Sequence, residues 1–172
     1  MLTINVGIFV LRLLTGLLFI GHGAQKLFGW FGGHGLQATA KWLEGLNYRP
    51  ARFWALCAGL GELLGGLGLA LGLFTPIAAA LIIGVLFTAI LKVHWANGIW
   101  VSQNGMEYAL TNLVVAAFIG LFGPGSYALD SLLRMHYPMP LTFGIAVVVV
   151  LLSAIAGLLS TARRARTEQQ YA

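Results

Sequence analysis

Charge is what this sequence has least of. Only 9% of its 172 residues are Asp, Glu, Lys or Arg, against roughly 25% in an ordinary soluble domain. That shortage excludes a disordered chain and an ordinary cytosolic enzyme. Acidic residues number five against ten basic ones, giving a net charge of +5. The excess is too small, and the polar surface too sparse, for a phosphate-tracking groove, so no nucleic-acid partner is expected. Cysteine is nearly absent. With Cys57 alone, there can be no intramolecular disulfide, C-x-x-C redox pair or cysteine-rich metal site. Basic residues are also missing from Met1-Leu-Thr-Ile-Asn, and Arg12 interrupts the apolar run that follows. The first segment is therefore read as a retained span rather than a cleaved signal peptide.

Hydrophobic residues are abundant, at 59% of the chain. A bilayer core about 30 Å thick needs roughly 17–25 apolar residues at about 1.5 Å rise each. Five runs answer this description: Ile4–Gly21, Phe53–Phe74, Pro76–Val93, a shorter Met106–Gly123, and Leu141–Ser160 with its Ala146-Val-Val-Val-Val-Leu-Leu core. Backbone in lipid must satisfy its own hydrogen bonds, and none of these runs alternates as barrel strands do, so helices are predicted. The expected fold is all-α, a polytopic membrane bundle. Thr75-Pro76 predicts a tight hairpin between the second and third spans. In the loop over residues 22–52, Leu36–Leu46 is amphipathic and predicts a short interfacial helix. The loop Pro124–Pro140 suggests another short helix, capped by Asp130.

If all five runs cross, one side collects Lys26, Lys41, Arg49, Arg52, Lys92, Arg163, Arg164 and Arg166, and the other only Arg134. The bias predicts a cytoplasmic long first loop and C-terminus, with the N-terminus outside. All five tryptophans (Trp30, Trp42, Trp54, Trp95, Trp100) fall on the cytoplasmic side as well. Six glycines between Gly59 and Gly72, including Gly61-x-x-x-Gly65 and Gly68-x-x-x-Gly72, permit close backbone approach. They serve packing within one bundle, or a homo-oligomer.

Arg12 and Glu62 are the costliest residues, since a charge at mid-span costs about 2.5–3.5 kcal/mol on insertion scales. Counted from the cytoplasmic ends of Ile4–Gly21 and Phe53–Phe74, both stand about 14 Å deep. They are expected to pair, either as a register-fixing bridge or as part of a functional site. His22, Gln25, Lys26, Lys92, His94, Glu107 and Asn112 share a layer above them, with Trp95 on the Lys92 face. Each also has a plain structural reading. The lysines can snorkel, the histidines can bond loop carbonyls, and Glu107, three residues after Asn104, can close a capping box. No spacing marks the histidines as haem or metal ligands.

An ordered set of motifs runs through these positions. It begins with Arg12-x-x-x-Gly16-x-x-Phe19-x-x-His22-Gly23-x-Gln25-Lys26, followed by Gly59-x-Gly61-Glu62-x-x-Gly65-Gly66 and Gly72-x-x-Thr75-Pro76. It continues through His94-Trp95-x-x-Gly98 and Gly105-x-Glu107 to Gly123-Pro-Gly125-x-x-x-Leu129-Asp130. In this order the set resembles the DoxX family of small bacterial membrane proteins. That resemblance implies a four-helix transmembrane core (1–140), to which this chain adds a further span (141–162) and a basic tail (163–172). It also implies residence in the bacterial plasma membrane and redox work there, since the family is similar to a subunit of thiosulfate:quinone oxidoreductase.

On this reading the chain is a membrane subunit of a quinone-linked oxidoreductase or oxidative-stress complex, with quinone as its expected cofactor. Arg12, Glu62, His94 and Glu107 would be catalytic; His22, Gln25, Lys26, Lys92, Trp95 and Asn112 would contact the ligand. No flavin, haem or iron–sulfur motif is visible, so electrons would come from partner oxidoreductase subunits. Two alternatives stand beside it: a scaffold docking soluble partners on its loops, and a small-solute transporter. Five short spans without an inverted repeat speak against the transporter.

Overall fold

The computed structural model describes residues 2–170, and the side chains of residues 3–159 and 161. Among the described residues every regular element is a helix. In order these are α1 (Leu2–Phe28), α2 (Gly35–Gly45), α3 (Ala51–Leu71), α4 (Thr75–Ala89), α5 (Glu107–Phe122), α6 (Leu129–Leu132) and α7 (Met139–Gln170). Four of them, α1, α3, α4 with the turns that extend it, and α7, are long and apolar enough to cross a membrane. The fourth expected run forms α5, which is apolar but spans only 16 residues, about 24 Å. The basic stretch expected as a separate tail continues α7 to Gln170. Tyr171, Ala172 and the side chains of Arg163, Arg164 and Arg166 lie outside the described residues.

Helix α1 packs most extensively on α3, and glycine makes this possible. A Cβ on Gly16 would stand 2.6 Å from the Gly66 carbonyl oxygen, and one on Gly66 would stand 2.7 Å from that of Gly16. Gly23 is closed off in the same way by Leu63 and Gly59. The two backbones therefore touch, which is how helices gain dispersion contact where lipid offers no hydrophobic drive. Gly61, Gly65 and Gly68 face the other way, against Val85, Ile82 and Ala78 of α4. The glycine-dense helix is thus wedged between two neighbours, and its glycines serve packing within the bundle.

Successive apolar helices alternate in direction. Gly16 opposes Gly66 and Gly23 opposes Gly59, so α1 and α3 run antiparallel. Gly120 near the end of α5 meets Phe143 near the start of α7, and Gly157 late in α7 meets Trp54 early in α3. Helix α4 sits centrally, contacting α3, α5 and α7, and supplies much of the buried core through Ala79, Ile82, Ile83 and Leu86. Helix α2 covers residues 35–45, close to the expected amphipathic segment. It turns Leu43 inward against Tyr48 and Ala55 while Lys41 and Glu44 stay exposed.

Candidate functional site

The two costly charges do not meet. Helix α1 runs on past Gly21 to Phe28, so a register counted from Gly21 is short by about two helical turns. Arg12 lies beside the C-terminus of α3, where its Nη1 donates to the carbonyls of Leu69 at 2.8 Å and Ala70 at 2.7 Å, and its Nη2 to the carbonyl of Tyr127. Those α3 carbonyls belong to the last turn, which has too few partners of its own and carries the negative end of the helix dipole. Arg12 is 1% exposed and completes that cap. Its expected pairing with Glu62 is replaced by one with helix-end carbonyls.

Asp130 forms the other half of this lock. Its carboxylate accepts from the backbone N–H of Phe74 (2.8 Å), from the N–H and hydroxyl of Thr75 (2.9 and 2.7 Å), and from the Tyr137 hydroxyl. Asp130 therefore caps α4 across space rather than its own short helix. The Asp130 N–H donates in turn to the Gly72 carbonyl at 2.8 Å. Gly72 is left-handed (φ 66°), and a Cβ there would strike Arg12 and Ala128. The hairpin joining α3 to α4 is thus clamped by a buried cation and a buried anion from two distant parts of the chain. Burial and the Asp130 hydrogen bond together push the Tyr137 phenol well above its ordinary value.

Glu62 is 5% exposed, and its partner is Lys26, whose ammonium contacts both carboxylate oxygens. The pair bridges α1 and α3 about 11 Å along α3 from the Arg12 cap. It lines a cleft of about 810 Å³ bounded by α3, α4 and α7, to which α2 and Tyr48 also contribute. Helices α3 and α7 each pack on α4 but barely on one another, which leaves the cleft open to the outside of the bundle. Leu60, Leu64, Leu81, Val85 and Val150 give it apolar walls, and Lys26, Glu62, Thr88, Lys92 and His94 are the polar groups that line it.

The end of α4 brings His94 to this place. Residues Ile90–His94 form a π-turn, in which i→i+5 bonding lines up residues five apart. Ala89 and His94 therefore share the cleft side. The His94 Nδ1 lies 2.7 Å from the Asn104 carbonyl, to which it must donate. In the neutral ring Nε2 is then left as an acceptor. Lys92 extends over the Tyr48 ring, 5.8 Å from its centroid, within cation–π reach.

Of the remaining expected residues, His22 stays near the ion pair, one turn from Lys26 on α1 and bonded to Tyr108 close to Glu62, while the others scatter. His22 Nε2 is 3.0 Å from the Tyr108 hydroxyl, on the α1–α5 side. Gln25 donates to the Phe31 carbonyl and Asn112 to that of Tyr108. Trp95 is exposed and stays outside the cleft. Glu107 closes no capping box with Asn104. Instead it accepts from the Val101 N–H at 2.9 Å and so ties together the loop after α4. Among the described residues no three His, Cys, Asp or Glu side chains come together to hold a metal ion.

Neither Tyr48 nor Trp54 is among the residues that the sequence marks for the site. Both line the cleft, and the Tyr48 hydroxyl and Trp54 Nε1 are buried without a hydrogen-bond partner. Burial pushes the Tyr48 phenol up to about 12. An unfolded tyrosine ionises near 10, so the folded state holds a proton that the unfolded state has lost between these values. This contribution to stability is intact below pH ~10 and disappears as pH rises towards ~12. Tyr48→Phe removes the orphan hydroxyl but keeps the ring under Lys92. It is expected to be at least as stable as wild type at pH 8 and to lose less on going to pH 11, as measured by thermal unfolding in detergent.

A polytopic helical membrane protein with an amphiphilic cleft is the class these features define. The chain belongs to the DoxX family, whose pattern matches residues 7–95. The match takes in Arg12, Lys26, Glu62, Lys92 and His94; Glu107, Asn112 and Asp130 lie beyond it. No curated protein and no solved structure matches the chain.

Proposed function

We propose that this protein is the membrane subunit of a quinone-linked oxidoreductase or oxidative-stress complex, and that the cleft between α3 and α7 takes the quinone. The observation that carries this reading is a largely apolar cleft, open to the outside of the bundle, whose lining also holds an ion pair, a lysine and a histidine. Its volume falls within the roughly 300–1,000 Å³ usual for small-molecule sites. A quinone needs an apolar slot for its ring and tail and a few donors for its carbonyls. Lys92 and Lys26 can donate to a carbonyl oxygen. Glu62, with Lys26 against it, is the group suited to exchange a proton as the ring is reduced, and His94 Nε2 is the second. The bound quinone would supply the two-electron chemistry, and a partner subunit would supply the electrons. Arg12 takes no part in this reading, because it is committed to the α3–α4 hairpin at the other end. The excess of lysine and arginine on the Lys26 side favours a cytoplasmic position for this mouth in a bacterial plasma membrane.

Trp42 and Trp54 line the cleft, so a bound quinone would quench their fluorescence. Titrating the purified protein with a long-chain quinone is expected to give saturable quenching. That quenching should be lost when Ala58→Phe and Ala154→Phe fill the cleft from two walls. Quenching that never saturates, or that survives in the filled variant, overturns the proposal.

A further inference from the structure

We infer that Lys92 is the specificity-determining cation of this cleft, selecting an apolar molecule whose head group carries one negative charge on oxygen. This rests on the reading of the cleft as a ligand site and narrows the chemistry of what enters. The charges lining the cleft do not balance: two ammonium groups, Lys26 and Lys92, face one carboxylate, Glu62. Lys26 spends its charge on Glu62, which it contacts through both oxygens. Lys92 has no anionic partner among the described residues, and its recorded contact is the face of the Tyr48 ring.

A lysine that only snorkelled would direct its ammonium into open solvent. This one is half-buried on the cleft wall, in the π-turn that also carries His94. Cation–π contact with Tyr48 holds the ammonium in place without neutralising it. Thr88 donates to the Gly84 carbonyl at 2.9 Å and His94 Nδ1 donates to the Asn104 carbonyl, and the polar atoms left open nearby, His94 Nε2 and the Tyr48 hydroxyl, carry no negative charge to balance Lys92. A neutral head group would leave this charge uncompensated in an apolar setting, whereas an anionic oxygen would complete a charge-assisted hydrogen bond. Two sources supply this shared chemistry, an ionised hydroxyquinone and a fatty carboxylate from the membrane.

The test measures equilibrium binding to the full chain by native mass spectrometry from a non-ionic detergent. The probes are two matched pairs: an alkyl hydroxynaphthoquinone, ionised at neutral pH, against its methyl ether, and decanoate against its methyl ester. The anionic member of at least one pair is expected to bind about tenfold or more tightly than its neutral partner. That ratio should fall to near one in Lys92→Met and survive in Lys92→Arg. A purely structural role for Lys92 would change overall binding or folding but not the ratio. Equal binding within both pairs by wild type overturns the inference even if Lys92→Met fails to fold, as does a preference that persists in Lys92→Met. If both naphthoquinones bind equally well and decanoate shows no advantage over its ester, the inference falls and the quinone proposal stands. If decanoate alone binds through Lys92 and neither naphthoquinone binds, the quinone proposal falls and the inference stands. Absence of binding by all four probes overturns both.

Discussion

Asp130→Ala is expected to lower the thermal stability of the detergent-solubilised protein by on the order of 10 °C, corresponding to about 3–5 kcal/mol for breaking a buried charged network. Four donors converge on this carboxylate: the N–H groups of Phe74 and Thr75, the Thr75 hydroxyl and the Tyr137 hydroxyl. Removing it leaves the start of α4 uncapped and the Arg12 guanidinium buried without the anion nearest to it. Asp130→Asn keeps an acceptor but turns an amide N–H₂ towards groups that already donate, so an intermediate loss is expected. Tyr137→Phe removes one bond to the charge and should cost less than either. Thermal unfolding followed by tryptophan fluorescence ranks the three. A melting temperature for Asp130→Ala within about 2 °C of wild type would show that the clamp does not hold the hairpin.

Glu62→Gln is the second large effect. It leaves the Lys26 ammonium, 28% exposed, against a helix interface that no longer offers a carboxylate, and a loss of about 1.5–3 kcal/mol is expected. The double variant Lys26→Met with Glu62→Gln strands neither charge and should recover much of that loss. Ligand binding separates a purely structural pair from a functional one. If the pair forms the polar end of a quinone site, the stable double variant should still bind quinone about tenfold more weakly, the worth of one charge-assisted hydrogen bond. Wild-type affinity in a double variant that has regained its stability would confine the pair to bridging α1 and α3.

Much of the fold could be read from local patterns. The apolar runs became helices, Thr75-Pro76 became the start of α4 after a tight hairpin, and the amphipathic stretch around Leu36–Leu46 became α2. Register could not be read in the same way. The predicted Arg12–Glu62 pair depended on where α1 ends, and hydropathy marks the end of an apolar run rather than the end of a helix. His22, Gln25 and Lys26 look like loop residues by polarity, yet they continue α1, and this moves Lys26 into the place expected of Arg12. Asp130 was visible as a capping residue, but its target lies more than fifty positions away in sequence. Only the folded chain identifies that target. The contribution of Tyr48 was hidden for a related reason: it sits in a loop with no periodicity, and its burial comes from α2 folding over it. The π-turn that carries Lys92 and His94 adds backbone geometry that side-chain spacing cannot forecast.

The backbone contact of α1 with α3 has a mechanical consequence. Two helices pressed together at Gly16, Gly23 and Gly66 have little side-chain volume between them at these points to rearrange. Helix α7 is held differently: by Val150 against Gly84, by Phe143 against Gly120, and by Gly157 beneath the Trp54 indole. The cleft wall that α3 forms is thus set by backbone contact with α1, and the wall that α7 forms is set by side chains seated on glycine.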